Sequence, residues 1–379
     1  MFHSMKIAVN TRLLLKGKLE GIGWFTYETL RRITAANPEH SFYFIFDRPF
    51  SEDFVFSDNV TPLRSFPPAR HPYLWYAYFE YSIPVLLNRL KADLFISTDG
   101  WLSLRTDIKE YDVIHDINFE HHPDFIRPGM LAYYRKFFPQ FARKAARIAT
   151  VSEFSKQDIH DTYRVETDKI DVVYNGCNQH YKALNEKEQS EIRKHYSRSS
   201  EYFLFVSAIH KRKNLANILK AFDDFKEKES NSVKFVVVGN RPAAGAQGDF
   251  DAVLASMKHL DDVIFLGHLG AEELAKLAGS ALALVYASLF EGFGIPILEA
   301  FYAETAVITS NVTSMPEVAG NAALLVDPYA VDSIENAMLS IYKDRSLRNQ
   351  LVERGRQQRE KFSWDRTADL LWRSIEQLF

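Results

Sequence analysis

Short runs of β-branched, aliphatic and aromatic residues alternate with longer stretches of helical apolar spacing from one end of the chain to the other. The short runs predict strands buried on both faces, and the longer stretches predict helices that cover them. In the first half the strands read Lys6 to Asn10, Phe42 to Phe46, Leu94 to Ser97, Asp112 to His115, Ile148 to Val151 and Ile170 to Tyr174. In the second half they read Tyr202 to Val206, Val233 to Val238, Val263 to Leu266, Leu282 to Tyr286, Ala306 to Thr309 and Ala323 to Val326. A helix from Gly23 is stopped by Asn37-Pro38, and another starts near Ser155 behind Ser152, a capping residue. Strands and helices in alternation predict an α/β chain with parallel sheets covered on both faces.

At 379 residues the chain exceeds one ordinary core, and two domains are expected. The polar stretch from Leu184 to Glu201 suits a solvated helix and a linker, so the domains read 1–183 and 184–361. A net charge of -3 gives no reason to expect a nucleic-acid partner, and the lone Cys177 cannot close an internal disulfide. A cytoplasmic setting fits that composition. The apolar run Leu13-Leu14-Leu15 is too short for a signal-peptide core, and no uncharged apolar stretch approaches bilayer length, so any membrane contact is peripheral.

The most informative segment runs from Ser288 to Ala300 and follows the strand ending at Tyr286. In open α/β sheets, ligands bind outside the carboxyl ends of strands. Gly292 and Gly294 permit a tight turn and close backbone approach, and Pro296 suits the first position of a helix whose N–H groups face an anion. Glu291 in the loop and Glu299 about one turn inside the helix would repel phosphate, so they suit the hydroxyls of a ligand that carries both. Without that ligand they read as a capping and a solvated carboxylate. A cation stands after the first strand of this half, in Lys211-Arg212-Lys213-Asn214, where Lys213 precedes a helical pattern and can reach the same crevice. Taken alone, that triplet is a solvated basic loop.

Together these motifs resemble glycosyltransferase family four. The resemblance rests on Glu-Gly-Phe-Gly-Ile-Pro-Ile-Leu-Glu-Ala from Glu291, on Arg212-Lys213-Asn214-Leu215, and on Ser314-Met315-Pro316-Glu317-Val318-Ala319-Gly320. It continues through Ala322 to Pro328 and is strongest from Tyr202 to Pro328. It implies the GT-B fold, two Rossmann-like domains facing across a cleft, with the chain returning to its first domain through 362–379 after Phe362-Ser363-Trp364-Asp365. It also implies a retaining transfer of a hexose from a nucleotide-diphosphate sugar to a glycan or lipid-linked acceptor, with no metal and no further cofactor. On this basis Glu299 binds the ribose and Glu291 a hydroxyl of the donor sugar, while Phe293, Gly294 and Ile295 offer backbone N–H groups and Lys213 neutralises the leaving diphosphate. His268 and Leu269 stand near the base, and Asn240 joins the donor-binding set. The nucleotide is of GDP or UDP type, with a slight lean to GDP-mannose through similarity to bacterial mannosyltransferases. Many members place an arginine where this chain has Ser207, so either Arg212 or Arg241 supplies the second cation, or the leaving group is less well neutralised.

In the first half, Gly21-Ile22-Gly23 forms a glycine turn that the resemblance places on the donor phosphate, while Thr26 breaks the dinucleotide fingerprint and disfavours a dehydrogenase. His115 is assigned near the donor sugar, as a hydrogen-bonding group or as a structural strand-end histidine, with Asp116 able to orient it. The aromatic run from Tyr73 to Phe79 and the helix from Met130 to Arg147, with its aromatic and basic residues, read first as core and second as a face for anionic lipid. Asp249-Phe250-Asp251 reads as a helix cap rather than a metal motif. The rival readings are an epimerase or phosphorylase of the same fold and a non-catalytic nucleotide-sugar binder.

Overall fold

The computed structural model describes residues 4–240 and 248–379, and they divide into two compact units. The first comprises Met1–Gly176 with Ser363–Phe379, and the second Cys177–Phe362.

The first unit is built on a seven-stranded parallel sheet in the order β3-β2-β1-β4-β5-β6-β7. Its strands are β1 (Lys6–Asn10), β2 (Ser41–Phe46), β3 (Val60–Arg64), β4 (Leu94–Ser97), β5 (Lys109–Val113), β6 (Arg147–Thr150) and β7 (Ile170–Val172). Ile7 faces Phe42 on one side and Leu94 on the other, and all three are buried. The order reverses between β1 and β4, and the carboxyl ends of those strands border the crevice where such sheets bind ligands. The last segment of the chain completes this unit as the helix Trp364–Glu376, capped by the Ser363 hydroxyl and joined to β5 by a 2.7 Å hydrogen bond from Tyr111 to Ser374. Gly176 makes that return possible, because a Cβ there would stand 2.4 Å from the Trp364 nitrogen.

The second unit repeats the plan with six parallel strands in the order β10-β9-β8-β11-β12-β13. They are β8 (Tyr202–Val206), β9 (Lys234–Val238), β10 (Val263–Gly267), β11 (Ala283–Tyr286), β12 (Ala306–Ser310) and β13 (Leu324–Val326). Phe203, Phe205, Phe235 and Val237 of its strands pack with Ile218, Phe222 and Phe225 of the helix Leu215–Lys228 in one core. The polar stretch that reads as a linker forms the helix Glu186–Tyr196 inside this unit, with a capping box between Asn185 and Glu188.

Three local expectations are corrected, and one strand is added. The first helix spans Gly21–Ala36, so Gly21 and Gly23 form its first turn rather than a turn ahead of it. β5 ends at Val113, which puts His115 beyond the strand. Pro296 takes the second rather than the first position of the helix Ile295–Tyr302. The strand β3, absent from the sequence reading, contains Pro62 and lies at the sheet edge, where a missing N–H costs no ladder bond. The aromatic run and the helix Pro128–Lys144 supply core in large part, since Trp75, Tyr78, Phe79, Tyr133, Phe137, Phe138 and Phe141 are all buried in one cluster.

Candidate functional site

β8 leads into a single 3-10 turn, Lys211–Lys213, that is locked by its own polar groups. The His210 imidazole accepts from the Arg212 backbone N–H at 3.2 Å. Asn214 follows in the left-handed conformation at φ 61, which asparagine tolerates better than most residues. Its side-chain amide donates to the carbonyls of Ala287 at 2.9 Å and Pro328 at 2.7 Å. The Leu289 N–H donates to the Arg212 carbonyl at 2.8 Å. These bonds tie the basic turn to the loop after β11 and aim both at one place.

That place is Glu291. Lys213 Nζ donates to Glu291 Oε1 at 2.7 Å, and Arg212 Nη1 donates to Glu291 Oε2 at 2.7 Å. Lys213 also donates to the Tyr286 hydroxyl at 2.8 Å, and Arg212 to the Phe290 carbonyl at 2.9 Å. Burial alone would raise the Glu291 carboxyl, but Lys213 and Arg212 outweigh it and hold it at about 2. The carboxylate is therefore ionised throughout the physiological range, and two cations share its charge.

The loop itself is shaped by Ser314, whose hydroxyl donates to the carbonyls of Glu291 at 2.9 Å and Phe293 at 3.0 Å. Gly294 then takes φ 103, a value closed to most side chains, and caps the helix Ile295–Tyr302. The amino end of that helix carries partial positive charge beside the Lys213–Arg212 pair. Glu299 lies in the following turn with separate partners. It is half-buried and accepts from the Tyr181 hydroxyl; burial pushes it up to about 7, with Tyr181 offsetting part of the rise.

The structure thus brings together Arg212, Lys213, Glu291, Phe293, Gly294 and Ile295, with Glu299 on the same helix. Asn240 is exposed just after β9, and His268 and Leu269 follow β10 with the histidine exposed. Arg241 lies outside the described residues, as does most of the Gly239–Gly248 loop. The Asp-Phe-Asp run falls in the first turn of the helix Gly248–Ser256. At Ser207, where the resemblance expects an arginine, the backbone is clamped between strands: its N–H donates to Val238 at 3.0 Å, and a Cβ on Gly239 would lie 1.8 Å from its carbonyl oxygen.

Gly21, Gly23 and His115 belong to the first unit. Gly23 allows its helix to approach the Leu13 carbonyl, which a Cβ would meet at 3.0 Å, whereas a Cβ on Gly21 would meet nothing within 4 Å. His115 Nε2 lies 2.9 Å from the Thr98 carbonyl, and its ring stands edge-on to Phe25 at 4.9 Å. Burial lowers its pKa, so the ring is neutral at pH 7. Because a carbonyl can only accept, Nε2 carries the proton and Nδ1 presents a lone pair. Asp116 does not orient this ring in the structure; it accepts from the Asn118 N–H at 3.0 Å.

Tyr286, Tyr181 and Asn214 were missed by the sequence reading. Tyr286 closes a strand and reads as core, and Tyr181 meets Glu299 across 117 intervening positions of chain order that carry no periodic signal. Asn214 had a signal, since an asparagine between a basic turn and a helix suits the left-handed position.

Comparison with known proteins follows the same division. Residues 19–180 match the family described as Glycosyltransferase Family 4, and residues 187–358 match Glycosyl transferases group 1. The O-antigen chain mannosyltransferase B of Escherichia coli is 31% identical over 253 residues, covering 66% of each chain. The O-antigen chain mannosyltransferase RfbU of Salmonella typhimurium is 30% identical over 272 residues, covering 71% of each chain. Among solved structures, the sucrose-phosphate synthase of Thermosynechococcus elongatus superposes with a TM-score of 0.80 at 15% identity, covering 99% of each chain, a likeness of fold. The chain therefore belongs to the family-four glycosyltransferases, a glycosyltransferase of GT-B fold with a family-four domain followed by a group-one domain.

Proposed function

We propose that this glycosyltransferase moves a hexose, mannose in the first instance, from a GDP- or UDP-linked donor to a glycan or lipid-linked acceptor with retention and without metal. The observation that carries the reading is the Lys213–Arg212–Glu291 cluster beside the amino end of the helix Ile295–Tyr302. Two cations and a helix terminus form a positive field suited to a diphosphate, and the carboxylate between them suits a sugar hydroxyl. Donor binding exchanges partners. The diphosphate takes Lys213 and Arg212, and Glu291 turns to the hexose. Arg212 is the second cation in place of the residue missing at Ser207.

In the transfer, the acceptor oxygen bonds to the anomeric carbon on the face from which the phosphate oxygen departs. The departing phosphate takes the acceptor proton. Lys213 and Arg212 stabilise the charge that develops on the leaving group, which is where most of the rate enhancement arises. Glu299 receives the ribose hydroxyls, with Asn240, His268 and Leu269 beside the base. Within the first unit, the bare Nδ1 of His115 suits a sugar hydroxyl as an acceptor, and the helix turn at Gly21 and Gly23 offers backbone N–H groups suited to a phosphate. The names of the mannosyltransferases that this chain resembles support mannose.

The test is transfer itself. With GDP-mannose and an O-antigen-type acceptor, the product keeps the donor's anomeric configuration by one-bond carbon–proton coupling, and a chelator leaves the rate unchanged. An isomerised donor formed without acceptor points to an epimerase, and binding without turnover to a non-catalytic subunit; either defeats the proposal. Peripheral membrane contact belongs to the same reading through the exposed Phe66, Tyr73, Tyr81 and Val85, with Arg105 stacked on Tyr81 at 4.5 Å. Failure to sediment with anionic vesicles removes that part alone.

Glu299 makes the nucleoside contact pH-dependent. Its carboxyl is protonated below about 7 and ionised above, and the ionised form is the one that accepts two ribose hydroxyls. Nucleoside diphosphate affinity is expected to rise as pH passes upward through about 7 in the native chain, relative to Glu299→Gln measured in parallel. The unliganded fold responds in the opposite sense. A raised carboxyl favours folding at low pH, and that contribution is lost as pH climbs from 4.5 through about 7. Equal pH profiles for the two proteins would rule out the ribose contact.

A further inference from the structure

The first unit carries polar machinery at its ligand-binding edge that none of the donor-side residues uses. Arg12 follows β1, and its Nε donates to Asp99 Oδ2 at 2.6 Å. Asp99 follows β4 and is held in turn by Asn10 Nδ2 at 2.8 Å and the Ser97 hydroxyl at 3.0 Å. The Arg12 guanidinium lies 4.6 Å from the Trp101 ring and 5.5 Å from that of Phe79, so its plane is fixed on an aromatic floor. After β2 the pattern repeats, with Arg48 Nη2 donating to Asp47 Oδ2 at 2.7 Å and Asp47 also accepting from the Ala69 N–H at 2.9 Å.

Both aspartates are buried, with side-chain exposures of 3% for Asp99 and 0% for Asp47, whereas their arginines keep 9% and 22%. The aspartate is therefore the more enclosed partner of each pair, and the two arginines stand just beyond the carboxyl ends of β1 and β2. Among the described residues, neither terminal nitrogen of Arg12 nor Nη1 of Arg48 has a hydrogen-bond partner. Between the pairs sits Tyr78, fully buried, whose hydroxyl also lacks a partner and which interacts with all four charges. Ion pairs this buried roughly break even against apolar packing, so stability alone is a weak reason for two of them on a ligand-binding edge.

We propose that Arg12 and Arg48 form a subsite for a phosphoryl group of the acceptor, pre-set by Asp99 and Asp47. This rests on the transferase reading above. A guanidinium fork matches the oxygens of phosphate or carboxylate, and three N–H-bearing nitrogens outnumber the two oxygens of a carboxylate but suit the terminal oxygens of a phosphate monoester or the non-bridging oxygens of a diphosphate. Anchoring by the aspartates removes the ordering cost that a flexible arginine would meet on binding. The phosphoryl group can come from a soluble sugar phosphate or from a lipid-linked diphosphate.

The test is a calorimetric titration of the full chain with inorganic pyrophosphate, before and after saturation with nucleoside diphosphate. The expected result is two classes of site, of which the nucleotide blocks one. The double variant Arg12→Gln/Asp99→Asn keeps the pair neutral and hydrogen-bonded, and its fold is checked by near-ultraviolet circular dichroism. It is expected to lose the nucleotide-insensitive site by about tenfold or more in affinity and to raise the acceptor KM with the donor KM unchanged. Arg48→Gln acts in the same direction, and comparing a soluble sugar phosphate with a polyprenyl diphosphate acceptor tells which source the subsite serves. If the double variant, properly folded, retains both sites and its acceptor KM, the proposal is overturned. If Lys213→Ala leaves the nucleotide-blocked site intact, the donor assignment fails instead.

Discussion

Replacing Lys213 by alanine is expected to lower the transfer rate by about 10²–10³-fold, the usual effect of losing one preorganised contact to developing charge. The fold should survive, because Glu291 keeps Arg212 at 2.7 Å as its counter-ion. The reverse deletion behaves differently. Glu291→Ala leaves the ammonium and guanidinium, only 13% and 23% exposed at their side chains, without the carboxylate between them. Stranding buried charge in this way costs about 3 kcal/mol or more of stability. The pair of variants separates catalysis from folding: initial rates fall in the first with little change in unfolding midpoint, and both fall in the second. Equal rates for Lys213→Ala and the native chain would remove the ammonium from the chemistry.

The second large effect is structural and lies directly behind the basic turn. A Cβ at Gly239 would stand 1.8 Å from the Ser207 carbonyl oxygen and 2.7 Å from its carbon. Neither backbone can retreat. The Gly239 N–H donates to Gly267 at 2.7 Å and the Ser207 N–H to Val238 at 3.0 Å, so movement would break bonds of β10 or β9. Gly239 also holds φ 151, a region that side chains rarely enter. Gly239→Ala should therefore cost about 3 kcal/mol, combining strain with overpacking. For a unit of this size that lowers the unfolding midpoint by roughly 6 to 12 °C by calorimetry. Gly21→Ala, where the added methyl meets nothing within 4 Å, is the control expected to leave the midpoint unchanged or slightly raised. A Gly239→Ala midpoint within a degree or two of native would contradict the clash.

The site and the fold were legible in the chain to different depths. Buried parallel strands announce themselves as apolar runs, and β8 to β13 appear where such runs stand. β3 did not, because Pro62 and Arg64 spoil its pattern and only its place at the sheet edge makes that composition tolerable. The chemistry of Lys213, Glu291 and Glu299 could be read from strand, turn and helix order, since each loop follows a strand's carboxyl end. Their pairing could not. Whether two opposite charges meet depends on how Asn214 ties one loop to the next, a fact of geometry rather than of spacing. The same holds for Arg12 with Asp99 and for Glu299 with Tyr181, contacts made between segments far apart in the chain.

The exchange of partners at Glu291 is what the account rests on, and a crystal structure with bound GDP-mannose or its UDP counterpart tests it most directly. The predicted result has the diphosphate within hydrogen-bond distance of Lys213 Nζ and the Arg212 guanidinium, the ribose on Glu299, and Glu291 turned to the hexose. A nucleotide seated elsewhere, or one bound while Lys213 and Arg212 both remain on Glu291, would contradict it.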